Sequence, residues 1–148
     1  MNQYAAATYR QTLESTLSPA DLLIRLYEGA IRCVDIIKES ARSGDIPRRA
    51  DAVNRLTGIL SELASAVDGQ EPKDLSDSLV SLYLFLIQEV TLANVAGELC
   101  RLDPVKEIIS DLLGTWRAAV LSSRKSALPF PPKADGAAPP RRSLSVRG

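Results

Sequence analysis

Between residues 18 and 125 the apolar residues recur at three- and four-residue steps, and no segment alternates at the two-residue period of a strand. The densest pattern lies between Leu75 and Cys100, around the run Leu82-Tyr83-Leu84-Phe85-Leu86-Ile87. Leu75, Leu79, Leu82, Leu86, Val90 and Ala93 fall on one side of a helix turning about 100° per residue. A second stripe, Val80, Leu84, Ile87, Thr91 and Val95, runs roughly a third of a turn away. A helix apolar on most of its circumference is normally buried on several sides. Either two neighbouring helices flank this one, or part of it faces a groove that another chain fills.

The remaining elements follow from caps and breakers. Ser18-Pro19-Ala20-Asp21 opens a helix over 19–42, with serine as cap, proline in the first turn and an acid at the positive end of the dipole. Ser43-Gly44 closes it. Asp45-Ile46-Pro47 opens a second helix with Val53, Leu56, Ile59, Leu60, Leu63 and Val67 on its apolar face. Gly58 sits inside that helix, where a close helix crossing would compensate its cost of roughly 1 kcal/mol against alanine. Asp68-Gly69-Gln70-Glu71-Pro72 breaks the chain, and the central helix is expected over 74–101. Asp103-Pro104 repeats the capping device and opens a last helix through Arg124. The pattern predicts an all-α, antiparallel up-down four-helix bundle over 18–125.

The ends read differently. Residues 1–17 hold Tyr4 and Tyr9 among small and polar types, and form a short mobile cap segment too short for a stable helix alone. Residues 126–148 hold five of the nine prolines and read as a disordered tail.

Composition narrows the chemistry. Lys plus Arg and Asp plus Glu stand at 18 each, so no overall charge points to nucleic acid. With no histidine, catalytic triads built on it, histidine metal sites and histidine phosphotransfer are excluded. No phosphate loop, GxGxxG or nucleophile elbow is present, and the acids fall mostly opposite the apolar stripes. The expectation is a non-enzyme without cofactor or metal. Cys33 and Cys100 lie on apolar positions without CxxC spacing and read as small buried hydrophobes, in keeping with a reducing cytoplasm. The start MNQYAAATYR has no signal-peptide pattern, and the longest apolar run, six residues, falls far short of the ~20 of a membrane helix, so no membrane insertion is expected.

What remains is binding through helix surface. Tyr27 and Tyr83 each follow a leucine in a long helix, and suit either the rim of a groove or a core with satisfied hydroxyls. Asn94 offers an amide donor and acceptor that could meet an incoming peptide backbone.

In this order and spacing, the motifs resemble the FliS family of flagellar export chaperones. The opening MNQY, the segment TLSPADLLIRLYEGAI at Thr16–Ile31, LYLFLIQEVTLAN at Leu82–Asn94, and Trp116 in the last helix carry the resemblance, which covers residues 1 to about 120. Leu84 stands where the family commonly has an acidic residue. The resemblance implies a bundle with an N-terminal cap that binds the disordered C-terminal region of flagellin, prevents its premature polymerisation and presents it to the flagellar export gate. Client-binding positions would be Tyr27, Val80, Tyr83, Leu84, Ile87, Thr91, Asn94 and Val95, with Tyr4 and Tyr9 in the cap. The alternative is a structural or regulatory bundle that homodimerises through its second stripe.

Overall fold

The computed structural model describes residues 18–125, within which four long helices and one short 3-10 turn follow one another without a strand. They are α1 (Pro19–Ser43), α2 (Ile46–Val67), α3 (Lys73–Ala96) and α4 (Leu102–Lys125), with the 3-10 turn at Leu99–Arg101. The expected N-terminal cap, with Tyr4 and Tyr9, and the proline-rich tail lie outside the described residues.

Local chemistry sets the boundaries. The Ser18 side chain accepts from the Asp21 N–H at 3.1 Å, and Asp45 does the same for the Arg48 N–H at 3.1 Å. Each satisfies one of the N–H groups that a helix start leaves without an internal partner. Gly44, at φ 76, ends α1 in the left-handed conformation that costs glycine least.

The third helix departs from expectation at its end. It stops at Ala96 rather than near residue 101, because Gly97 turns left-handed at φ 73. Leu99 and Cys100 keep the apolar spacing going past that stop, which hides it in the sequence. The last helix starts at Leu102, so Asp103 lies in its first turn rather than before it.

Neighbours in sequence pack as neighbours in space, and α4 returns to lie along α1; of these adjacent pairs, α3 and α4 touch each other least. Every helix feeds one core: Tyr27, Val34 and Ile37 from α1, Leu56 and Leu60 from α2, Tyr83, Leu86 and Val90 from α3, Leu102, Val105 and Ile109 from α4. The close crossing expected at Gly58 is absent. A β-carbon on Gly29 would sit 3.6 Å from Ile59 Cδ1, whereas one on Gly58 would meet open space. By length and composition α3 is apolar enough to cross a membrane, although its longest unbroken apolar run is short. In the bundle it is one of the four packed helices, with Tyr83, Leu86, Val90 and Ala93 buried.

Candidate functional site

The second stripe of α3 lies toward the outside. Leu84 is 55% exposed and Val95 78%, Val80 and Ile87 are half-buried, and Thr91 is exposed. The Thr91 hydroxyl donates to the Ile87 carbonyl at 2.8 Å, so its methyl group remains the free end of that side chain. Phe85, 47% exposed, adds an aromatic ring on another flank of the same helix. Phe85 belongs to neither stripe by spacing, although it stands inside the apolar run, so periodicity alone does not single it out. Fully burying a leucine or valine is worth about 1.5–3 kcal/mol, and at Leu84 and Val95 much of that gain is still unspent.

Charge is nearly absent from this surface. Between Ser78 and Ala96 the only ionisable group that carries charge at neutral pH is Glu89, held by Arg101 at 3.0 Å; Arg101 also reaches Glu98 at 2.6 Å. The α1–α4 seam is the opposite. Asp21–Arg124, Glu28–Arg117, Asp35–Lys106 and Lys38–Asp103 form a ladder of ion pairs along it. A shallow hollow lined by Asp21, Ile24, Arg117, Val120 and Leu121 sits at one end of that seam.

Tyr27 and Tyr83 are not rim residues. They are 0% and 1% exposed, and their hydroxyls are hydrogen-bonded to each other. Half-buried Trp116 donates its indole N–H to Tyr27 Oη at 2.9 Å, which ties α1, α3 and α4 together through one polar chain. Two tyrosines distant in sequence cannot be paired by local pattern, which is why the rim and core readings stood level. Burial pushes both phenols above their usual range, so both stay neutral at physiological pH. Leaving one such buried group without a partner costs about 1–3 kcal/mol. Half-buried Leu79 and buried Leu86 and Val90 differ from Val80, Ile87 and Thr91 on the outer side by roughly two methyl-sized groups, near 2 kcal/mol, a difference of the same size.

Asn94 is half-buried beside these residues, and its Oδ1 is enclosed without a hydrogen-bond partner among the described residues. Cys33 is buried as expected, and burial pushes its thiol up. Cys100 is exposed, because the 3-10 turn after Gly97 carries it off the helix on which its spacing would have buried it. Among the described residues no cluster of three or more cysteine or acidic side chains could hold a metal ion.

The chain matches the family model described as flagellar protein FliS over residues 1–123. It is 33% identical over 116 residues to the flagellar secretion chaperone FliS of Campylobacter jejuni subsp. jejuni, covering 78% of this chain and 91% of that one. It is 24% identical over 124 residues to the flagellar secretion chaperone FliS of Bacillus subtilis, covering 84% and 90%. The fold is similar to the crystal structure of a bacterial flagellar chaperone, with a TM-score of 0.66 at 21% identity over 80% of this chain and 98% of that one. Those relatives are named as chaperones, not enzymes, and the bundle, its uncharged outer helix face and the matched length lead to one conclusion: the chain belongs to the FliS family of flagellar secretion chaperones.

Proposed function

We propose that this chain binds the disordered C-terminal region of flagellin in the cytoplasm, keeps it from polymerising and presents it to the export gate. The observation that carries the reading is the uncharged outer stripe of α3, on which Leu84 and Val95 remain 55% and 78% exposed. A disordered client spends part of its contact energy on its own ordering, so a long apolar surface is the kind it needs. Val80, Ile87 and Thr91 extend that surface, and the enclosed Asn94 Oδ1, without a partner among the described residues, would become an acceptor for the client once its side chain turns outward. Tyr27 and Tyr83 support it from within. In this reading residues 1–17 cap the stripe in the free chain.

The test is light scattering and calorimetry of the full chain with a peptide of flagellin's C-terminal region. A one-to-one complex is expected. A chain that stays dimeric and ignores the peptide overturns the reading in favour of a self-associating bundle, which would use the same stripe.

A further inference from the structure

The outer face of α3 is available only because the helix is turned one way and not another. Along Ser78–Ala96 it has a single charged group, and apolar side chains stand on most sides. Turning it about its axis by one residue, about 100°, would bring Val80, Leu84, Ile87 and Thr91 to where Leu79, Tyr83, Leu86 and Val90 now lie, with Asp77 and Asn94 taking the places of buried Ser76 and Ala93 toward the two ends. Three of those four exchanges are close in size, Val for Leu, Ile for Leu and Thr for Val, and the Thr91 hydroxyl keeps its acceptor, the Ile87 carbonyl, within the helix. Across these three exchanges hydrophobic burial separates the two settings by about as much as one orphaned hydroxyl does. The fourth exchange is different, because it would set Leu84 against the buried hydroxyl of Tyr27 and carry the Tyr83 hydroxyl away from its partner.

We propose that Tyr27, Tyr83 and Trp116 are positioning residues whose hydrogen-bonded chain fixes the rotation of α3 and so decides which apolar face is turned outward. The three groups come from three different helices, so the chain locates α3 relative to α1 and α4 together. That matters because α3 and α4 have the sparsest packing of any neighbouring pair. Hydrogen bonds are directional and fail within a small rotation, whereas apolar contact does not. A buried polar group then specifies one arrangement among several of similar burial. The other tie on this helix, Glu89 to Arg101, involves an arginine that is 35% exposed and is the weaker restraint. The consequence for the client rests on the proposed function; the lock itself does not.

Thiol labelling of the full chain reads the rotation directly. In a background of Cys33→Ala and Cys100→Ser, one cysteine is placed by Val90→Cys or by Val95→Cys, the same near-isosteric change at a site 1% exposed and a site 78% exposed. With the tyrosines intact, the cysteine at 95 should react on the order of a hundredfold faster than that at 90, which must wait for an opening. In Tyr27→Phe/Tyr83→Phe the ratio should fall below about tenfold while helical circular dichroism is kept, and the rates should depend only shallowly on urea. Trp116→Phe should give an intermediate ratio, and stands in as the test if the double variant does not fold. An unchanged ratio overturns the lock, as does a fall whose steep urea dependence marks global unfolding. No client is present in this measurement. If the ratio collapses but the affinity for the flagellin peptide is unchanged, the lock stands and the stripe is not the client's site.

Discussion

The α1–α4 seam and the outer side of α3 solve the same problem in opposite ways. Both border the core, and both must meet water or something else. Along the seam, Asp21, Glu28 and Asp35 recur every seven residues on α1 and meet Arg124, Arg117 and Lys106 in descending order on α4, at 2.9, 2.5 and 2.8 Å. Exposed ion pairs add little stability each, but they leave a wet, finished surface whose antiparallel register is fixed by charge. The outer side of α3 has no such finish. In the proposed reading, that apolar and nearly uncharged face is the one the client covers.

That contrast can be broken from the core outward. Leu86→Ala, on the buried face of α3, should cost about 2–5 kcal/mol in a urea melt, while Leu84→Ala two residues away should stay near 0.5 kcal/mol. Equal costs at the two positions would erase the distinction between faces. A charge at the outer face should act on binding instead. Leu84→Glu is expected to weaken binding of a flagellin C-terminal peptide tenfold or more, about 1.4 kcal/mol, with the melting temperature of the free chain nearly unchanged. Loss of helical circular dichroism along with binding would return Leu84 to the core. The smallest effect belongs to the seam. Glu28→Arg should cost roughly 0.5–1 kcal/mol at low salt, Arg117→Glu added to it should restore most of that, and about 1 M salt should abolish the difference. A double variant no better than the sum of its parts would make the ladder incidental.

Much of this architecture could be read from the chain before any coordinates. Helix starts were legible because Ser18-Pro19 and Asp45-Ile46-Pro47 state their chemistry within four residues, and both serve as caps. The outer stripe was legible too, since Val80, Leu84, Ile87, Thr91 and Val95 share a face by spacing alone. What failed was whatever depended on partners far away in sequence. Tyr27 and Tyr83 are 56 residues apart, and only the packed bundle brings their hydroxyls together. The end of α3 was missed for a different reason. Apolar spacing continues through Leu99 and Cys100, so period alone runs past Gly97, and the exposed Cys100 was read as buried. Gly58 shows the same limit: a glycine's place in a helix does not reveal whether another backbone approaches it, and here none does.

Trp116 is the only tryptophan in the chain, and its indole is bonded to the tyrosine pair at the meeting of three helices. Red-edge ultraviolet light is therefore absorbed at one spot rather than throughout the molecule. The emission of the unmodified protein is a local optical gauge of that junction, sensitive to water reaching the indole and to the loss of its acceptor. A ligand that merely lies on α3 would leave the colour of that emission alone, whereas one that tilts or turns the helix would shift it. The chain thus carries a built-in dye at the point where its mechanics are decided.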